Sequence, residues 1–115
     1  MIQIDNKTIT INIASEFTET PGPREKKDGP FSGELFREQF LEKYFLKDDD
    51  TKIIIDLDGV KGYAPSFLEE AFGGLVRKYG REKVLNKIEI RAIEKAYYRD
   101  LSYRYIKNAE ITSKR

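Results

Sequence analysis

The chain has 115 residues with a formal net charge of +1; it is 39% hydrophobic and 36% charged, with seven Phe and seven Tyr. That length suits one domain, and the aromatic residues supply the bulky apolar groups that a disordered chain lacks. The absence of Cys and of His excludes disulfide scaffolds, thiolate metal sites, thiol nucleophiles and any triad built on imidazole.

The charge is unevenly spread. Residues 1–76 hold 9 Lys and Arg against 15 Asp and Glu, whereas residues 77–115 hold 12 against 5. Opposed halves of this kind give a surface field that can orient a partner. No run of about 18 apolar residues occurs, so no membrane span is expected. The start, Met1-Ile2-Gln3-Ile4-Asp5, lacks the basic and then apolar segments of a secretory signal, and a cytoplasmic protein is expected.

Ile2 and Ile4, then Ile9, Ile11 and Ile13, alternate with polar neighbours, which predicts two half-buried strands. Ser15 to Pro30, with Pro21-Gly22-Pro23-Arg24 and Asp28-Gly29-Pro30, predicts a long loop. Ser32 caps a first helix over 33–46, whose apolar spacing runs Leu35, Phe36, Phe40, Leu41, Tyr44, Phe45, and Asp48-Asp49-Asp50 ends it. Ile53-Ile54-Ile55-Asp56-Leu57 predicts a central strand covered on both faces. Leu68, Ala71, Phe72, Leu75, Val76 and Tyr79 predict a second helix closed by Gly80, with Gly73-Gly74 packed closely on the sheet. A strand near 86–91 and a third helix over 93–107 follow, and 108–115 is a short tail. The order β-β-α-β-α-β-α implies a single α/β domain over 1–115, with a mostly parallel, mixed sheet of about four strands and about three helices.

Two stretches could carry chemistry. Asp56-Leu57-Asp58-Gly59-Val60 resembles the first motif of haloacid-dehalogenase phosphatases, in which one Asp attacks a phosphoryl group and the other is the acid/base. That family also needs a Ser/Thr, a Lys and an acidic pair downstream; no acidic pair follows a later strand here, and the expectation is a turn through Asp58-Gly59. Ser66-Phe67-Leu68-Glu69 reads as a capping box, Ser66 accepting from the Glu69 N–H and Glu69 reaching back. A serine there also presents its hydroxyl to a helix N-terminus, where added negative charge is favoured.

Ile53-Ile54-Ile55-Asp56-Leu57-Asp58-Gly59-Val60 followed by Tyr63-Ala64-Pro65-Ser66-Phe67-Leu68 resembles the core of STAS domains, which include bacterial anti-sigma-factor antagonists. Gly22-Pro23-Arg24, Asp28-Gly29-Pro30-Phe31-Ser32-Gly33 and Ser66 to Leu75 are more specifically similar to the STAS-like family of unknown function, over about residues 8–107. The resemblance implies a STAS-like sandwich and a non-enzymatic regulatory module that switches protein partners. It places Ser66 on the serine that a partner kinase phosphorylates in the antagonists. Ala64 and Phe67 stand where antagonists carry Asp and Gly. The expected contact surface is Tyr63, Ala64, Pro65, Ser66 and Phe67, and the expected partner a histidine-kinase-type ATPase or an anti-sigma factor. The alternative is a domain sensing a small ligand or nucleotide, with Arg24 as anion contact. No cofactor and no metal are expected. Arg91, Lys95 and Arg99 form a basic stripe beside Tyr98, but Glu94 and Asp100 interrupt it, and nucleic-acid binding is not expected.

Overall fold

Three pairs of isoleucines decide which way the sheet faces. In the computed structural model, which describes residues 7–47 and 49–110, β1 (Thr8–Asn12), β2 (Lys52–Asp56) and β3 (Ile88–Arg91) form one parallel sheet in the order β1-β2-β3. The register sets Ile9 and Ile11 against Ile53 and Ile55, and these against Ile88 and Ile90. Side chains alternate across a strand, so these residues share one face and pack in the core. The opposite face differs from the expectation of a doubly covered strand: Thr8, Thr10, Lys52 and Glu89 are exposed there. Ile54 is shielded by its position between Thr10 and Glu89 on the flanking strands. The strand expected through Ile2 and Ile4 lies outside the described residues, as does Asp48; the three described strands are all parallel.

Ile13, expected at the end of a strand, instead opens a short helix, α1 (Ile13–Glu16). Asn12 causes the change: its side chain accepts from the Ser15 N–H at 2.8 Å, while Glu16 accepts from the Asn12 N–H at 3.1 Å. The loop that follows is not structureless. It makes a 3-10 turn at Lys26–Asp28 and is strapped along the next helix by Gly33 N–H to Pro23 O and Glu34 N–H to Arg24 O.

The first predicted helix, α2, runs over 33–46 as Gly33–Phe36, a π segment Arg37–Leu41, and Glu42–Leu46. Ser32 caps it as expected, its hydroxyl accepting from the Leu35 N–H at 3.0 Å. Helix α3 has the same build over 65–79: Pro65–Leu68, a π segment Glu69–Gly73, and Gly74–Tyr79. Gly80, at φ +95°, ends it. Helix α4 (Arg81–Lys87) was not legible, since Val84 and Leu85 are its sole apolar side chains. It is held from outside, by the Arg81 guanidinium donating to the carbonyls of Ile106 and Ala109 at the end of α5 (Ala96–Asn108). No described helix is long and apolar enough to cross a membrane.

Helices α2 and α3 meet at their amino ends. Phe17, Phe36, Phe40 and Phe67 pack there with ring centroids 5.2–6.4 Å apart, and Phe31 closes the cluster edge-on against Phe17. Gly33 makes the approach possible, because a Cβ at that position would overlap the Phe67 carbonyl oxygen.

Candidate interaction site

The segment from β2 to α3 leaves the carboxyl end of the sheet, where open α/β sheets place their binding residues. Its two aspartates are occupied by the fold. Asp56 accepts from the Asp58 N–H at 3.0 Å, and the Asp58 carboxylate accepts from the N–H groups of Ile93 and Glu94 at 2.9 and 3.0 Å. Glu94 answers by accepting from the Gly59 N–H at 3.0 Å, and Gly59 sits at φ +92°, where a side chain would be strained. The Asp58-Gly59 turn thus clasps the turn after β3, in line with the turn reading of the D-x-D-G-V motif. Tyr63 lies inside this clasp, 6% exposed, and donates to the Leu57 carbonyl at 3.0 Å. Burial first, and then the nearby Asp56 and Asp58, push its hydroxyl well above the usual phenol range, so it stays a donor.

The capping box expected at Ser66 is not formed. Ala64 is the N-cap and makes no side-chain cap bond, Pro65 occupies the first turn, and Ser66 lies one residue further in. Glu69 does not reach back, because its carboxylate takes two bonds from Arg77, at 2.7 and 3.0 Å, and one from Arg24 at 2.6 Å. Charge-assisted bonds to guanidinium outcompete a bond to a neutral N–H. The Ser66 hydroxyl is left half-buried with no hydrogen-bond partner among the described residues. Ala64 and Pro65 beside it are exposed, whereas Tyr63 and Phe67 turn inward, Phe67 being fully buried. Of the expected contact surface, the outward part is therefore Ala64, Pro65 and Ser66.

Arg24, expected as a contact for an external anion, is paired within the chain to Glu69 at 2.6 Å and Glu70 at 3.4 Å. It belongs to a network that crosses the two π segments. Arg37, with 8% of its side chain exposed, bonds Glu42 through Nε at 2.8 Å and Glu70 through Nη1 at 2.5 Å. Arg77 holds Glu69 below the usual carboxylate range, with Arg24 adding to the effect against the cost of burial. Burial pushes Glu42 upward, but the bonds from Arg37 and Lys78 outweigh it and leave Glu42 lowered too. Gly73 and Gly74, expected to let α3 close on the sheet, instead make room for this network. A Cβ on Gly73 would stand 2.5 Å from a Glu69 carboxylate oxygen, and one on Gly74 would overlap the Arg37 guanidinium. Arg37 had no signal in the sequence, since an arginine one place beyond Phe36 reads as a solvated face.

Two clefts lie away from Ser66. A polar one of about 390 Å³, lined among others by Asp49, Lys52, Lys83 and Lys87, sits where β2 begins, at the opposite end of that strand from Ser66.

A three-stranded parallel sheet with helices packed on one face is consistent with a STAS-like α/β fold. Residues 32–98 match the family described as STAS-like domain of unknown function (DUF4325), and the chain belongs to that family. The match takes in both π segments and the Ser66 turn and begins after Arg24. No curated protein and no solved structure matches the chain.

Proposed function

We propose that this chain is a cytoplasmic regulatory module that acts by binding a protein, without catalysis, and that phosphorylation of Ser66 decides whether the partner stays bound. The observation that carries this reading is the Ser66 hydroxyl, free of any cap bond and flanked by exposed Ala64 and Pro65 at the amino end of α3. A phosphoryl group adds about −1.5 to −2 charges at neutral pH. The first-turn N–H groups and the helix dipole offset that charge within the fold. A protein interface does not, because a dianion pressed against it must lose its water. The same modification therefore blocks docking without unfolding the domain. By resemblance to the anti-sigma-factor antagonists, the partner is a histidine-kinase-type ATPase or an anti-sigma factor. The competing reading, a sensor of small ligands or nucleotides, is weakened by the commitment of Arg24 to Glu69 and Glu70.

The test is calorimetric titration against a purified histidine-kinase-type ATPase and a purified anti-sigma factor, the two partner classes proposed. Ser66→Asp should raise the Kd by at least about tenfold, a loss of about 1.4 kcal/mol. Ser66→Ala should bind as wild type and, having no cap to lose, keep its stability within about 0.5 kcal/mol. Equal affinity of Ser66→Asp and wild type overturns the switch.

A further inference from the structure

Arg24 duplicates what other arginines already do. It reaches Glu69 at 2.6 Å and Glu70 at 3.4 Å. Each of those carboxylates has a second guanidinium. Glu69 takes bonds of 2.7 and 3.0 Å from Arg77, and Glu70 takes one of 2.5 Å from Arg37. Arg24 is also the least buried of the three, with 39% of its side chain exposed against 30% for Arg77 and 8% for Arg37. Withdrawing it leaves neither carboxylate unpaired, so the large cost of breaking a buried pair does not arise.

Ser66 shares the side of α3 that Arg24 covers. Residues three and four apart are neighbours on a helix, and the first turn of α3 keeps that geometry, the Glu69 N–H donating to the carbonyls of Pro65 and Ser66. Ser66 thus lies between positions 69 and 70 around the helix and about 5.4 Å, one turn, nearer its amino end. The strap that carries Arg24 is fixed on this side too. The Arg24 carbonyl accepts from the Glu34 N–H at 3.0 Å, and the adjoining Gly33 lies so close to the Phe67 backbone that a Cβ would overlap it. A phosphoryl group on Ser66 brings about −1.5 to −2 charges to a face that already carries two carboxylates. A guanidinium is the side chain that meets a phosphate with two parallel bonds. A free anion must win Arg24 from Glu69 and Glu70 out of bulk solution, whereas a phosphate tethered one turn away competes intramolecularly.

We infer that Arg24 is the receptor within this chain for a phosphoryl group on Ser66: it leaves Glu69 and Glu70, which keep Arg77 and Arg37, and pairs with the phosphate. This inference rests on the Ser66 switch proposed above and specifies how the modification is sensed. The modification is the transfer of a phosphoryl group from a nucleoside triphosphate to Ser66 Oγ by a partner kinase, releasing the diphosphate and the hydroxyl proton. Arg24 carries its strap with it, so the modification rearranges the segment before α2 as well as adding charge at α3.

The experiment places phosphoserine at position 66 of the full chain by genetic code expansion and follows its second ionisation, ordinarily near pH 6, by phosphorus NMR. A paired guanidinium lowers that ionisation, and the Glu69 and Glu70 carboxylates raise it. Arg24→Gln should move it up by at least about half a unit relative to the parent phosphoprotein. Arg24→Lys, which keeps the charge and loses the fork, should move it less. Lys61→Gln, which removes the cation nearest to Ser66 in sequence, should leave it in place. Amide exchange at Gly33 and Glu34, whose N–H groups bond the Pro23 and Arg24 carbonyls, should change on phosphorylation in the parent and not in Arg24→Gln. An Arg24→Gln phosphoprotein that titrates like its parent, or a shift caused by Lys61→Gln instead, overturns the inference. Titration of the phosphoprotein against the two purified partners separates it from the switch. If phosphoserine blocks binding while Arg24→Gln leaves the ionisation unmoved, this inference fails and the switch stands. If Arg24 sets the ionisation while the phosphoprotein binds like the unmodified chain, the switch fails and the pairing stands.

Discussion

Replacing Gly74 by alanine sets two effects of opposite sign against each other. In an ordinary helix interior the change gains about 1 kcal/mol. Here the added Cβ would overlap Arg37 Nη1 and lie 3.2 Å from both Cδ and Cζ of the same side chain. Arg37 is pinned and cannot retreat cheaply. Its Nε is held by Glu42 at 2.8 Å and its Nη1 by the Glu70 carbonyl and carboxylate at 3.0 and 2.5 Å. Losing the bonds at Nη1 costs about 1.5–3 kcal/mol for each contact to a charged group, and separating a buried pair costs about 3–5 kcal/mol. Partial relaxation and the alanine gain leave a net destabilisation of about 1–3 kcal/mol. Urea unfolding should show a lower midpoint with an unchanged slope. In an Arg37→Leu background the guanidinium is gone, and the same alanine should be neutral or stabilising, which makes the coupling measurable as a double-mutant cycle. A Gly74→Ala protein about 1 kcal/mol more stable than wild type would refute the reasoning, because the glycine would then be making room for nothing.

Gly33→Ala should cost about 1–3 kcal/mol and lower the melting temperature, since its Cβ meets Phe67 backbone rather than a side chain that can move aside. Asp58→Ala should also destabilise by about 0.5–1.5 kcal/mol through loss of the bonds from the exposed Ile93 and Glu94 N–H groups, which water then takes over; faster amide exchange at Ile93 and Glu94 is the specific readout, and unchanged exchange would count against the clasp. Glu69 and Glu42 are both lowered in the folded state, so their contribution is present above the ordinary glutamate range and is lost as pH falls through the lowered folded values. Urea midpoints should therefore hold from about pH 7 to about pH 5 and then drop, and Glu69→Gln should show a shallower drop; equal acid sensitivity in the two proteins would remove Glu69 from the explanation.

Much of the domain is legible from apolar spacing. Ile9, Ile11, Ile53, Ile55, Ile88 and Ile90 mark three strands, and Ser32 and Gly80 mark helix ends where the structure has them. What escaped the sequence depends on which side chain claims which polar partner. The S-x-x-E pattern at Ser66 is correct as a local pattern and fails because Arg24, distant in sequence, and Arg77, two turns on in the same helix, claim Glu69. The Gly73-Gly74 pair announced a close approach but not what approaches, which is a guanidinium and a carboxylate rather than a sheet. Asn12 turned an apparent strand end into a helix start through a bond three residues long that alternation of isoleucines cannot reveal. Of the expected contact surface, Ala64 and Pro65 are exposed and Ser66 is half-buried, whereas Ile93, expected at the start of the third helix, stands on the turn before a helix that begins at Ala96.

The π segment Glu69–Gly73 makes the orientation of Ser66 a matter of counting. A π turn holds one more residue than the α turns on either side of it. Each residue in an α-helix turns the chain by about 100° and advances it by about 1.5 Å. Leu75 and Val76 are anchored in the core beyond the segment, so the extra residue is absorbed by the wide turn, and removing one residue between 69 and 73 would let the helix run on in ordinary α geometry with Ser66 facing the same way. Forcing all five residues into α geometry would instead swing the first turn by about 100°, carrying the Phe67 ring to the direction Ser66 now takes. The wide turn, rather than any contact the serine makes, sets which way the serine faces.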